Sequence, residues 1–357
     1  MLFKSYTEIE NVETNKILDK IIENNFNSSN IIYRCSEKVD GSNFSIWIYP
    51  NNIIKYARRS DFLNEFDSFM GYERAIRNDD LNNKAILIRN ELLSRHIILD
   101  SHIVVIYGEF YGGYYNHPDI KKIAEAIKVQ KRIDYAPDNH FYAFDILIQD
   151  EENNKNRYLD DNLVIELCDK VSMNREIILF EGTLDECLKY PNDEISKIGT
   201  KLHNLPIIEN NIEEGIVIKP IFPLFFPNGK RVILKNKNSK FKERMKRKEN
   251  SSKKSSNKNI TLSKKEEEYL NILQEYITKS RLYSVTSKIG TISDKDFGKV
   301  LGLFIKDILN DFNKEYGDEI SLLEKNTLID EFNFKKIKVE LQKIITEWIR
   351  PYFIELL

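Results

Sequence analysis

Cys35-Ser36-Glu37-Lys38-Val39-Asp40-Gly41-Ser42-Asn43-Phe44 is the stretch on which the reading of this chain turns. The apolar-rich Ile31-Ile32-Tyr33 leads up to a lysine, Asp40-Gly41 supplies a turn, and the alternating Phe44-Ser45-Ile46-Trp47-Ile48 leads away. Such alternation on either side of an Asp-Gly pair predicts two strands joined as a hairpin. Lys38 stands at its mouth, where an amine can be held beside a ligand. By themselves the same residues also describe a surface lysine next to a tight turn, so their meaning depends on what the rest of the chain supplies.

Working outward, further strands are predicted at 53–59, 103–107, 140–148, 215–220 and 231–235, each a short apolar or alternating run. Helical spacing marks a segment around Ile17–Ile22, a longer one over 70–96 and another near Ile120–Ile127; residues 158–205 read as mostly helical with loops. Strands interspersed with helices, without regular βαβ alternation, predict an α+β domain built on antiparallel sheets. From Lys235 to Lys258 there are eleven Lys and Arg against two acidic residues, and residues 244–260 read as a basic flexible linker. Ser263-x-x-Glu266 then forms a capping box ahead of a helix with Tyr269, Ile272, Leu273, Tyr276 and Ile277 on its apolar face. Two further helices are marked by Phe297, Val300, Leu301, Phe304, Ile308 and Phe312, and by Ile337, Leu341, Ile344 and Trp348, with Pro351 limiting the last. The expected organisation is an α+β domain over 1–243, the linker over 244–260, and an all-helical domain over 261–357.

Bulk properties narrow the class. A length of 357 residues suits two domains with separate cores, and 41% apolar with 31% charged residues suits a globular chain. A formal net charge of −2 means that any affinity for nucleic acid comes from a local basic patch. The three cysteines, Cys35, Cys168 and Cys187, have no C-x-x-C spacing, which argues against a disulfide framework or zinc site and suits a reducing compartment. Met1-Leu2-Phe3-Lys4-Ser5 lacks a signal-peptide pattern, and no run approaches the ~18 apolar residues of a membrane span. An intracellular, cytoplasmic monomer with no membrane partner is expected.

If Lys38 is a nucleophile, other residues must meet its needs. A free lysine titrates near ~10.4, so neighbouring cations or desolvation must favour the neutral amine. Lys235-Asn236-Lys237 places two lysines on one strand face, able to perturb Lys38 or to hold a phosphate as charge builds in a transition state. A basic strand edge that resists aggregation explains the same pair. Asp40, Glu109 and Glu214 each sit at a strand end beside glycine, suited to holding a divalent cation through water and equally to being solvated turn acids. Phe144 and Val217 can supply apolar faces to a nucleobase, or be core residues.

Set in order, the motifs become specific. Lys38-Val39-Asp40-Gly41, Arg59, Glu109, Phe144-Asp145, Glu214-Gly215 and Lys235-x-Lys237 follow the order and approximate spacing of the motifs of covalent nucleotidyltransferases, the superfamily of DNA ligases, RNA ligases and capping guanylyltransferases. Within it the chain resembles the RNA ligase 2 family. The flanks Glu37 to Phe44, Gly71-Tyr72-Glu73, Glu214 to Pro220 and Lys235 to Phe241 carry the likeness. So do Ser287-Lys288-Ile289-Gly290 and Lys295-Asp296-Phe297-Gly298-Lys299-Val300 in the helical part.

That resemblance implies an adenylyltransferase domain followed by a helical domain that engages RNA ends. It implies an ATP-dependent RNA ligase that seals 3′-hydroxyl and 5′-phosphate ends, typically nicks in duplex RNA, using Mg²⁺ or Mn²⁺. Lys38 would carry AMP. Glu37 would lie beside the adenine edge, with Phe144 and Val217 packing on the faces of the adenine. Asn43 and Arg59 would contact phosphate or ribose, and Glu109 the ribose hydroxyls or the metal's waters. Asp40 and Glu214 would hold the metal's waters, while Lys219, Lys235 and Lys237 would bind phosphates. Arg281 and Asp296 would engage the RNA, although Ser293-x-x-Asp296 also reads as a helix N-terminus with its acid near the dipole. A DNA ligase or a capping guanylyltransferase shares the motifs but carries a small β-barrel after them, where this chain reads as helix. An inactive RNA-binding module is the alternative outside the enzymes. The basic linker is either a solvated tether or a contact to RNA phosphates.

Overall fold

The computed structural model describes residues 3–13, 15–64, 67, 69–130, 132–242, 262–290, 292–325 and 332–356. Contacts divide the chain into two compact units, Met1–Ser239 and Lys240–Leu357. The expected linker over 244–260 lies outside the described residues.

The first unit is α+β and, among the described residues, holds ten strands in two five-stranded sheets. They are β1 (Glu10–Asn11), β2 (Tyr33–Glu37), β3 (Ser42–Ile48), β4 (Ile54–Arg58), β5 (Ile103–Tyr114), β6 (Ala136–Asp150), β7 (Lys155–Tyr158), β8 (Ile178–Gly182), β9 (Gly215–Pro220) and β10 (Leu234–Lys237). One sheet has the order β1-β10-β9-β2-β8 and the other β4-β3-β5-β6-β7. All neighbouring pairs are antiparallel except β1 with β10.

The hairpin expectation is therefore corrected. β2 pairs with β8 and β9, whereas β3 pairs with β4 and β5. Lys38 to Gly41 is not a turn between paired strands; it carries the chain from one sheet to the other. Alternation identified each strand, but no local signal names a partner that lies far along the sequence.

Three cores account for the layering. Phe44, Ile46 and Ile48 of β3, with Val104 and Ile106 of β5 and Ile146 and Ile148 of β6, face helices α2 (Tyr72–Asn78), α3 (Leu81–Ser94) and α4 (Asp161–Lys170). Tyr33 and Cys35 of β2, Ile216 and Ile218 of β9 and Leu234 of β10 pack against α1 (Asn15–Glu23) and α5 (Leu184–Leu188). Between the sheets, Trp47, Val105, Tyr107 and Leu147 meet Ile233, with Phe144 and Val217 at the margin. Period-two alternation sends successive residues of a strand into different cores.

Several segments depart from expectation. The section over 70–96 is two helices, separated at Asp80, whose φ is 49°. The expected helix at 120–127 is absent. There the Asn139 side chain binds both the amide and the carbonyl of Ile127, and Val129 N–H bonds to Gly112, so these backbone groups are satisfied by β5 and β6. The largely helical reading of 158–205 missed β8, which follows α4 and precedes α5 and α6 (Ile198–His203).

The second unit is helical, with α7 (Lys264–Gln274), α8 (Lys279–Thr286), α9 (Phe297–Lys325) and α10 (Phe334–Ile354) around a core that includes Leu273, Phe304, Phe312, Leu341 and Ile345. The capping box at Ser263 and Glu266 is present, and the buried Glu266 also accepts from Asn333 N–H at the start of α10. Pro351 does not end α10, which runs on to Ile354. So close to the C-terminal end, the hydrogen bond that proline removes is one of few that would have followed. Among the described residues no helix is long and apolar enough to cross a membrane.

Candidate active site

The crossing between the sheets is fixed from both sides. Lys38 N–H donates to the Gly215 carbonyl at 2.8 Å, extending β2 by one bond along β9. Two residues later, Asp40 N–H donates to the Tyr135 hydroxyl at 2.9 Å. Gly41 lies against the start of the other sheet: a Cβ there would stand 2.4 Å from the Phe110 carbonyl oxygen and 2.8 Å from Cγ of Glu109. Gly215, at φ 141°, lets β9 press on β10, where a Cβ would meet the Asn236 oxygen at 2.2 Å.

Around this crossing, three expected residues form an ion trio. Lys38 Nζ lies 2.7 Å from Glu214 Oε2, and Lys237 Nζ lies 2.9 Å from Glu214 Oε1. The Glu214 side chain is 2% exposed and Lys237 4%, while Lys38 keeps 19%. Burial by itself would raise the Glu214 carboxyl; Lys237, Lys38 and Arg132 outweigh it and hold it well below the usual range. One anion between two cations leaves net positive charge beside a partly accessible amine.

Glu109 is the acid of this site with no hydrogen-bond or ion-pair partner among the described residues. Burial pushes it up to about 8, with Glu214 and Asp40 adding and Lys38 and Arg59 opposing. Those influences place Glu109, Lys38, Asp40, Glu214 and Arg59 in one electrostatic neighbourhood. Asn43 is the register partner of Glu109 across β3 and β5. Asp40 is differently occupied: Arg132 Nη2 and Nε donate to its two oxygens at 2.9 and 3.1 Å.

Phe144 owes its position to a bulge. The β5–β6 register shifts between Tyr107 and Gly108, leaving Phe144 as the extra residue between Ala143 and Asp145. Ala143 and Ile146 thus face the helical core, while Phe144 turns to the inter-sheet core beside Val217, both half-buried. Val217 is the register partner of Lys235, which brings Lys235 to the same face.

Other expected residues have protein partners. Glu37 is buried, and its carboxylate accepts from the Ser196 hydroxyl and from Lys197 N–H at 2.8 Å. Burial pushes it up to about 7 against those two bonds. Lys219 is buried against Glu176, Asp161 and the Phe144 carbonyl, at 2.5, 2.6 and 2.7 Å. In the helical unit, Arg281 is buried between Asp307 and Asp311, at 2.6 and 2.9 Å. Asp296 accepts from Ser293 N–H at 2.9 Å and from its hydroxyl at 2.6 Å, the helix-start arrangement weighed from sequence. Arg132, Tyr135, Ser196 and Lys197 carried no sequence signal; folding alone brings them to Glu37 and Asp40.

The arrangement brings together an amine bonded to an acid that a second lysine shares, the half-buried Phe144 and Val217, and a carboxyl with no partner among the described residues. Comparison with known proteins agrees with that chemistry. A family model described as RNA ligase matches residues 32–237, more than half of the chain, and one described as T4 RNA ligase 2 C-terminal matches residues 260–347. The mitochondrial RNA-editing ligase 2 of Trypanosoma brucei brucei is 27% identical over 367 residues, spanning 88% of this chain and 84% of that protein. Among solved structures, variants of the Naegleria gruberi RNA ligase with ATP and Mn and with AMP and Mn superpose with TM-scores of 0.43 and 0.41 at 18% identity. These superpositions cover 68% of this chain and 58% of theirs, so the chain spans less than two thirds of those ligases. On the two family models, the first of which spans the site, the chain belongs to the RNA ligase 2 family.

Proposed function

We propose that the protein is an ATP-dependent RNA ligase joining 3′-hydroxyl and 5′-phosphate RNA ends, with nicks in duplex RNA as its substrate, through a lysyl–AMP intermediate. The observation that carries this reading is the Lys38–Glu214–Lys237 trio at the crossing between the sheets. Lys38, once it sheds a proton, attacks the α-phosphorus of ATP; a phosphorus–nitrogen bond forms and pyrophosphate leaves. The AMP passes to an RNA 5′-phosphate and frees Lys38. A 3′-hydroxyl then attacks that phosphate, making the phosphodiester and expelling AMP. Glu214 orients the amine through its 2.7 Å bond, and Lys237 remains as a fixed positive charge for the phosphate. Phe144 and Val217 would flank the adenine, with Glu37 at its edge and Asn43 and Arg59 toward ribose and phosphate.

A divalent cation, Mg²⁺ or Mn²⁺, would supply further positive charge to the phosphates. Among the described residues no three acidic, His or Cys side chains converge as direct ligands, so the site suits a cation held through water. Glu109, an acid without a partner under the negative field of Glu214 and Asp40, fits that role. Helices α7 to α10 follow the adenylyltransferase unit, where DNA ligases and capping enzymes carry a β-barrel; this favours RNA ends over the alternatives.

Incubation with α-labelled ATP, with α-labelled GTP beside it, should label the wild type with ATP alone and leave Lys38→Ala unlabelled. Labelling of Lys38→Ala would remove the assigned nucleophile. Sealing of matched nicks in duplex RNA, RNA–DNA hybrid and duplex DNA, run side by side, should be fastest on RNA.

A further inference from the structure

We propose that Arg132 is a phosphate-binding residue of the reaction and that Asp40 is its positioning residue. This deepens the ligase reading and rests on it. The resemblance assigns Asp40 to the waters of a metal, but the fold gives it another duty. Both Asp40 oxygens accept from one guanidinium, at 2.9 and 3.1 Å, and its backbone amide is held by Tyr135, three residues beyond Arg132. The side chains are 15% and 17% exposed, so the pair lies neither in the core nor on the open surface.

A carboxylate whose two oxygens meet a guanidinium fork is satisfied as an acceptor and is held in one orientation. Arg132 gains from the same fork: its long side chain is immobilised before any ligand arrives, which reduces the entropy lost on binding. The Glu214 charge adds to that of Asp40 in favouring the charged guanidinium. Arg132 thus stands in one electrostatic neighbourhood with Glu214, the acid that also holds Lys38 and Lys237. The anions that enter that neighbourhood in the proposed reaction are phosphates, for which a pre-oriented guanidinium is the matching donor. They have two sources, the polyphosphate of ATP and the 5′-phosphate of the RNA.

Two arms separate the sources: self-adenylylation with α-labelled ATP, and sealing of a pre-adenylylated RNA nick without ATP. Arg132→Gln should raise the half-saturating substrate concentration at least about tenfold in one arm, with a smaller change in the maximal rate. The ATP arm would identify the nucleotide, and the sealing arm the RNA. Arg132→Lys, which keeps the charge without the fork, should lie between wild type and Arg132→Gln, with thermal unfolding confirming that each variant folds. Asp40→Asn should weaken the same arm, and the double variant should lose less than the two effects combined. The half-saturating Mg²⁺ concentration should be the same in Asp40→Asn and Arg132→Gln.

Both arms unchanged in Arg132→Gln would overturn the proposal. So would a rise in Mg²⁺ requirement confined to Asp40→Asn, since Asp40 would then serve the metal. A wild type that neither labels nor seals would instead overturn the ligase reading, and calorimetric ATP binding to Arg132→Gln, which needs no turnover, would still test the nucleotide arm.

Discussion

Each unit of the molecule has a trio of charges about a buried centre, and the two trios are inversions of one another. At the crossing between the sheets one acid, Glu214, is held by two lysines; in the helical unit one base, Arg281, is held by two aspartates. In the first the acid is 2% exposed and one of its cations, Lys38, reaches solvent at 19%. In the second the cation is 2% exposed, and Asp307 and Asp311, at 27% and 36%, also meet Lys288 and Lys314 at the surface. The first leaves positive charge beside a partly exposed amine. The second surrounds its base with acids, as a structural tie does.

The comparison can be broken, and the largest expected effect is at Glu214. Glu214→Gln keeps the shape but removes the charge that orients Lys38, so the rate of labelling by α-labelled ATP should fall about a hundredfold or more. Unchanged labelling would make the first trio as structural as the second. Arg281→Met tests the opposite case. It should lower stability by about 1–3 kcal/mol, below the usual cost of breaking a buried pair because its aspartates can rehydrate. Thermal unfolding should show this while self-adenylylation is unchanged; loss of sealing at an unchanged melting temperature would make Arg281 a substrate residue.

A smaller effect concerns a buried acid with no ion pair among the described residues. Glu213 is buried with neither carboxylate oxygen hydrogen-bonded among those residues, and burial pushes it up to about 8, with Glu37 and Glu194 adding and Lys197 opposing. Its folded value lies above its unfolded one, so the native state holds the extra proton. Its stabilising share is complete below about 4.5 and declines as pH rises toward 8. Glu213→Gln cannot ionise, so its advantage in melting temperature over the wild type should be greater at pH 8.5 than at pH 5.5. The smallest effect is at the helix start: Asp296→Ala should lower the denaturant midpoint slightly and leave sealing by folded protein intact.

Much of this site was legible before folding was considered. Lys38, Glu214, Lys237 and Glu109 carry motif spacing, and the strands that present them carry alternation. What remained hidden depends on pairing across long sequence separations. The partners of β2 and β3 are not encoded locally, so a crossing reads as a hairpin. Phe144 gives no sign of the bulge that turns it toward Val217. Arg132 follows a segment whose apolar spacing resembles a helix until Asn139 takes up its backbone groups. The capping box at Ser263 and Glu266 was legible because the whole device lies within four residues.

Because Lys38 lies on the crossing, its environment is assembled from distant parts of the chain. The hydrogen bond to Glu214 closes a separation of 176 residues, and the strands on either side of the lysine are claimed by different sheets. Closing such a loop costs chain entropy that only the non-local contacts of the folded unit repay. A nascent or partly unfolded chain would carry the same lysine without Glu214 beside it. The ability to consume ATP would then report completion of the whole first unit, and an incompletely folded ligase would waste none.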